Sequence, residues 1–306
     1  MRVGLSWTPK PDADAKSAWA TIISEATTAD AVGLDSVWVH ESRTAPNGCP
    51  SPSVMLTFLS RRTRTVQLIG TRLLEAVNPA RLAEEVGVLD TFARGRAGLG
   101  FASASSQGAP SGRLHETIDF VTAAWATDEL RYRGGFIRFP THTPDDAPAG
   151  VSTPEPGDSY VPQWERGPVM PDFLAITPKP LAARPPVFVE IADRDTLEWA
   201  ARQGISPLVK AHTPTEEAVA SLQRYREIAA AAGRRRGEVE VALERHIAMG
   251  GDGDDTTVGG SSTELIDLLR DLGATAGVSH LIWNRRGPSD GDLFQFAREV
   301  QLMLQA

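Results

Sequence analysis

Residues 35–42 read Asp-Ser-Val-Trp-Val-His-Glu-Ser, residues 65–71 Thr-Val-Gln-Leu-Ile-Gly-Thr, and residues 78–100 Asn-Pro-Ala-Arg-Leu-Ala-Glu-Glu-Val-Gly-Val-Leu-Asp-Thr-Phe-Ala-Arg-Gly-Arg-Ala-Gly-Leu-Gly. The first two are short, nearly continuous apolar runs, the signature of strands buried on both faces. The third carries Leu82, Val86, Leu89 and Ala93 at helical spacing and then re-enters an apolar run at 96–101. Strand followed by helix followed by strand is the unit of a parallel sheet.

Moving outward, the same alternation extends over the chain. Apolar runs recur at 2–7, 186–191, 205–210, 239–249 and 278–283. Trp19, Ile22, Ile23, Ala26 and Ala29 lie on one face of a first helix, and Leu293, Phe296, Val300 and Met303 mark a last one. Eight strand–helix units predict an α/β fold, a (β/α)8 TIM barrel. A doubly wound open sheet would announce a Gly-rich loop after its first strand; Trp7-Thr8-Pro9-Lys10-Pro11 stands there instead. The alternation is interrupted at about 128–185, between helix 4 and strand 5. There Leu130 to Arg133 and Phe136 to Phe139 flank Gly134-Gly135, a hairpin signal. A Pro-, Asp- and Gly-rich tract, Thr141 to Met170, follows and reads equally as a lid or as a surface insertion.

Composition sets the class. The 306 residues, 41% hydrophobic with a formal charge of −8, suit a single enzyme domain with a large core and disfavour nucleic acid or an anionic membrane surface as partner. Cys49 is the lone cysteine, so no internal disulfide forms. With neither a signal-like start nor a spanning apolar run, a cytoplasmic location is expected. The first strand lacks a His-x-His pair, and the six histidines show no metal-ligand spacing.

Barrel enzymes work at the C-terminal ends of their strands. Those ends carry Trp7 and Thr8, then His40, Glu41 and Ser42, then Thr71 and Arg72, then Ala102, Ser103 and Ser105. Glu190, Asp193 and Arg194 follow, then Lys210 and His212, His246 and Met249, and finally Trp283, Asn284 and Arg285. Aromatics beside hydrogen-bonding groups suit a flat ligand. His246 in mid-strand also fits a satisfied structural histidine.

The order of these motifs resembles the bacterial-luciferase-like flavin-dependent monooxygenases. A second strand closes on an acid and its neighbouring His, a third ends Gly70-Thr71, and Pro79, Ala83, Glu84, Leu89 and Asp90 lead through Gly95-Arg96 into the fourth. The resemblance implies a TIM barrel binding reduced FMN from a separate reductase and oxidising a small, apolar or aromatic substrate with O2. It also implies a homodimer built on early helices, with Val54, Leu56 and Phe58 as contributors. Relatives that use the deazaflavin coenzyme F-420 imply hydride transfer as an alternative. By the same resemblance, His40, Ser42 and Ser103 are the catalytic candidates. Ser42 stands where the family usually has His, and His40, two residues earlier, returns to the same face. Ala102-Ser103 replaces a common Gly or Cys followed by Arg. Thr71, Ala102, Asp193, Arg194 and Thr196 are expected at the cofactor, with Trp7, Phe101 and Trp283 as pocket walls.

For the cofactor phosphate, the turn at Asp193 to Thr196 opens a helix whose free N–H groups favour an anion, while Asp195 could simply cap it. Gly259 to Glu264 offers a second anion site or a capping box. Two further readings stand beside these: a Schiff-base lyase using Lys210, and a non-catalytic flavin-binding relative.

Overall fold

The computed structural model describes residues 1–8, 14–43, 45, 47–73, 78–102, 111–139, 173–182, 184–235, 237–286 and 293–305. Eight strands close into one parallel barrel. They are β1 (Arg2–Trp7), β2 (Ser36–His40), β3 (Gln67–Leu73), β4 (Ala97–Ala102), β7 (Val187–Glu190), β8 (Ser206–Val209), β9 (Ala242–Met249) and β11 (His280–Arg285). Each pairs with its neighbour in that order, β8 pairs β9, and β11 returns to β1. Two short strands form the β5 (Tyr132–Arg133) and β6 (Arg138–Phe139) hairpin about Gly134-Gly135. The remaining one, β10 (Thr257–Gly260), adds to the far half of β9 outside the barrel.

Helices α1 (Ala15–Ala31), α2 (Pro52–Ser60), α3 (Pro79–Ala93), α4 (Ser111–Ala126), α5 (Arg194–Gln203), α6 (Thr215–Ala231) and α7 (Ser262–Ala276) connect the strands. A final segment runs from α8 (Leu293–Phe296) through a π turn (Ala297–Gln301) into α9 (Leu302–Gln305). No described helix is long and apolar enough to cross a membrane. Local chemistry sets the helix ends. Asn78 accepts the Arg81 N–H and Pro79 occupies the first turn of α3, which ends on Arg94 and Gly95 at positive φ. The hairpin is fixed to α4 by Glu116, whose carboxylate accepts the N–H groups of Gly135, Phe136 and Ile137. The tract 141–170 lies outside the described residues.

Strand alternation divides the core in two. Odd residues of β1, including Val3 and Leu5, join the larger apolar cluster between sheet and helices. A separate cluster of Trp38, Ile69, Phe188, Leu208, Ala242 and Ile282 fills the barrel itself. Trp38 and Phe188 meet edge to face at 4.8 Å. Gly4 makes room for Trp38 and Ser36: a Cβ there would stand 2.1 Å from Ser36 Oγ and 3.0 Å from Trp38 Nε1.

Two residues before and two residues after the members of this interior layer the same strand face turns polar, with Pro186 before Phe188 as the exception. At the N-terminal end, His280 bridges Ser36 Oγ (2.7 Å) and Glu240 (3.0 Å), and Arg2 bonds Glu240 and Gln67. At the C-terminal end the corresponding positions are Ser6, His40, Thr71, Glu190, Lys210, Glu244 and Asn284.

Candidate active site at the barrel mouth

Glu244 is the centre of the C-terminal end. It is fully buried, yet its carboxylate meets five donors. Oε1 accepts from Ser6 Oγ (2.6 Å), His40 Nε2 (2.7 Å) and Asn284 Nδ2 (2.9 Å), and Oε2 accepts from Lys210 Nζ (2.7 Å) and the Ala211 N–H (3.3 Å). Lys210 Nζ also lies 3.0 Å from His40 Nε2. Burial alone would raise the Glu244 pKa, but the adjacent Lys210 and His40 and their hydrogen bonds hold it well below the usual carboxylate range. Burial and the Lys210 charge push His40 down from 6.5, against the pull of Glu244. The cluster is therefore a neutral imidazole beside a buried ion pair.

Among the described residues, three buried polar atoms here have no partner: His40 Nδ1, Thr71 Oγ1 and Asn284 Oδ1. His40 and Thr71 are register partners on β2 and β3, and the His40 and Asn284 side chains share one carboxylate oxygen. Buried polar atoms cost about 1–3 kcal/mol each when unsatisfied, so three at a barrel mouth point to a polar ligand. A flavin or deazaflavin ring, whose edge carries both donors and acceptors, fits this set. Among the described residues no cluster of His, Cys, Asp and Glu is arranged to hold a metal ion.

The sequence-predicted residues divide by strand face. His40 and Thr71 face the interior, and Lys210 and Asn284 join them. Trp7, Phe101 and Trp283 do not: all three belong to the outer, helix-facing cluster, because they sit one residue off the inward-pointing parity. Trp7 donates its indole N–H to Glu25 of α1 (2.6 Å), and Trp283 packs on Phe296 of α8 at 4.8 Å. The expectation that they wall the pocket is corrected accordingly. Ser42 lies past the strand. Its N–H donates to the Cys49 carbonyl, and its side chain packs against Gly48, where a Cβ would fall 2.6 Å from the hydroxyl. Ala102 ends β4 opposite Leu73, and Ser103 lies outside the described residues.

Glu41 points outward as a structural acid, accepting from Arg72 Nε (3.0 Å), Arg43 Nε (2.7 Å) and the Leu73 N–H (3.1 Å). At the expected phosphate turn, Asp193, not Asp195, caps α5 by accepting from Thr196 N–H (2.7 Å) and Oγ1 (3.0 Å). Arg194 is 80% exposed and paired with Glu198 at 2.9 Å, so this turn is occupied by its own carboxylates. At the second anion candidate, Ser261 and Glu264 form the capping box of α7. His246 is a satisfied strand histidine, donating from Nδ1 to the Asn284 carbonyl (2.8 Å). Lys210, the lysine of the Schiff-base reading, spends its Nζ on Glu244 Oε2 at 2.7 Å.

Sequence reasoning missed Glu244 and Ser6. The available signal was a charged residue inside an apolar strand, Val-Ala-Leu-Glu-Arg-His-Ile at 241–247, since buried carboxylates need partners.

The family whose model matches residues 1–257 is described as luciferase-like monooxygenase. The F420-dependent glucose-6-phosphate dehydrogenase of Amycolatopsis mediterranei is 29% identical over 135 residues, 38% of this chain and 40% of that enzyme, so the match spans well under two thirds of the relative's length. Among solved structures, the oxygenating constituent of 3,6-diketocamphane monooxygenase from Pseudomonas putida, a Type II Baeyer-Villiger monooxygenase in complex with FMN, superimposes with a TM-score of 0.73. It is 15% identical, and the alignment covers 99% of this chain and 98% of that one. The coenzyme F420 dependent tetrahydromethanopterin reductase of Methanopyrus kandleri gives 0.72, with 13% identity and 99% coverage of both chains. At these identities the structural likenesses speak for the fold.

Proposed function

Since the chain belongs to the luciferase-like monooxygenase family, whose members include flavin- and F420-dependent oxidoreductases, we propose that it is a flavin-dependent monooxygenase acting on a small organic substrate at the C-terminal mouth of the barrel. The observation that carries this reading is the trio of unpartnered buried atoms, His40 Nδ1, Thr71 Oγ1 and Asn284 Oδ1, beside a neutral His40. When bound, reduced FMN supplies two electrons and the activation of O2. The chain's own share is to hold the ring edge with Thr71 and Asn284, to exclude water above the apolar interior layer, and to hold or move a proton at His40. A separate reductase supplies the reduced flavin, and Val54 and Phe58 of α2 with Val88 and Phe92 of α3, all exposed, form the apolar face of a homodimer. Leu56 is buried against β3 and takes no part.

A second reading, hydride transfer with a deazaflavin, is favoured by one specific observation: the buried Nδ1 of His40, unpartnered among the described residues, is placed to remove a proton from a hydroxyl as its carbon is oxidised. Anaerobic titration with reduced FMN and, separately, with reduced F420, followed by admission of O2 and product analysis, tests both. Tight binding of reduced FMN with oxygen incorporation into product supports the first. Binding of the deazaflavin alone, with substrate oxidation that needs no O2, overturns it in favour of the second.

A further inference from the structure

The contacts of His40 fix which of its nitrogens carries hydrogen. A carboxylate oxygen 2.7 Å from Nε2, already accepting from Ser6 and Asn284, requires a hydrogen on that nitrogen, because a lone pair there would face a negative charge. Lys210 cannot then donate to Nε2, and its 3.0 Å approach is a by-product of donating to the other oxygen of Glu244. Nδ1 is left with a lone pair, buried and without a partner. The same logic turns Asn284: its Nδ2 is used on Glu244, so Oδ1 is the atom left over.

We propose that Glu244, braced through its other oxygen by Lys210, is a positioning residue that holds His40 as the Nε2–H tautomer, so that Nδ1 is the nitrogen that accepts a proton, and that the mouth is built to receive a ligand bearing a hydroxyl or N–H donor. Two acceptors, Nδ1 and Asn284 Oδ1, belong to side chains that share Glu244 Oε1, with the Thr71 hydroxyl able to give or take. Such a set complements an alcohol or the N–H edge of a reduced ring and rejects a ligand offering only acceptors. The charged groups packed on His40 among the described residues are Lys210 and Glu244, which act in opposite senses: the carboxylate orients the ring and favours its protonation, while burial first and the Lys210 charge second hold its pKa below the ordinary 6.5. This inference rests on the reading of the mouth as the reacting site, but its test needs neither cofactor nor substrate.

The test is long-range 1H–15N spectroscopy of the 15N-histidine-labelled protein, with His40→Gln identifying the His40 signals among the six histidines. The expected result at pH 7 is a neutral ring, protonated on Nε2. A ring protonated on Nδ1, or an imidazolium, overturns the proposal. Lys210→Met should keep the tautomer and move the His40 titration to higher pH; an unmoved titration refutes the role given to Lys210. Glu244→Gln should populate the Nδ1–H form, and if that variant does not fold, the wild-type and Lys210→Met spectra still decide. In turnover, Glu244→Gln should lose at least about tenfold in kcat with a smaller change in KM, the pattern of a mis-set base. Intact tautomer control without activity would overturn the proposed function and leave this inference standing.

Discussion

Removing Glu244 should destabilise the protein chiefly by stranding Lys210, and a double-mutant cycle measures that effect. Glu244 is 1% exposed and Lys210 16%, with 2.7 Å between their charged atoms. Breaking a buried pair by deleting one member costs about 3–5 kcal/mol. Because the Lys210 ammonium sits near the mouth and can reach water, Glu244→Leu belongs at the lower end, about 3 kcal/mol. Lys210→Met leaves the carboxylate with four other donors and should cost about 1.5–3 kcal/mol, the worth of one hydrogen bond to a charge. At about 2.1 cal/mol/K per residue, 306 residues carry an unfolding entropy of about 0.6 kcal/mol/K, so Glu244→Leu lowers Tm by about 5 °C. The double variant removes both charges and should be more stable than Glu244→Leu alone. Calorimetry of the four proteins gives the coupling. If the two single losses add to within about 0.5 kcal/mol in the double variant, the pair is not a unit and the reasoning fails.

Other predictions are shorter. The folded protein keeps His40 and His280 neutral below their ordinary 6.5, so the unfolded chain takes up protons first and stability falls as pH drops through about 6.5; Tm measured from pH 8 to 5.5 should decline, and less steeply in His40→Gln. Glu244 adds a second, lower window: its contribution is complete above 4.5 and is lost as pH falls below it, so acid unfolding of Glu244→Gln should show a shallower dependence there. His40→Ala should lower turnover by about 10²–10⁴ while sparing cofactor affinity, whereas a purely structural role would lower Tm and leave the activity of the folded fraction unchanged. Asp193→Ala should cost about 1 kcal/mol through the lost α5 cap, and exposed Arg194→Ala less than about 0.5 kcal/mol; a tenfold loss of reduced-FMN affinity in Arg194→Ala would place the phosphate at this turn after all. Phe58→Glu with Phe92→Glu should give a monomer by light scattering, and a wild type already monomeric at micromolar concentration would remove the proposed dimer.

The barrel was legible because each strand is an apolar run and each helix repeats its apolar residues on one face, both of them local signals. Strand β1 at 2–7 agrees residue for residue, and β9 starts three residues later than its apolar run, Val241 at its threshold bonding Ser279 and the His280 N–H. What was not legible is which face of each run points inward. Trp7 and Ser6 are adjacent in sequence, and the bulkier residue attracted the functional reading, yet a one-residue step reverses the side and Ser6 is the one at the mouth. Nor could spacing reveal that Glu244 meets His40, 204 residues away. The capping box and helix caps were visible as patterns; whether they served an anion or their own helix turned on where the carboxylates of Asp193 and Glu264, three residues from their partners, point.

The apolar layer of Trp38, Ile69, Phe188, Leu208, Ala242 and Ile282 lies between two hydrogen-bonded ends, each with its own histidine and glutamate. It acts as an electrical and chemical insulator across the barrel. Among its six side chains only Trp38 carries an exchangeable hydrogen, and that indole N–H is turned to Ser36 at the N-terminal end (2.8 Å), so on the proposed role of His40 a proton released there would leave by the opening through which ligands arrive. Any ligand that seals that opening therefore also fixes the number of protons inside, so uptake and release of protons by this protein should keep time with binding and departure, and not with the chemical step between them.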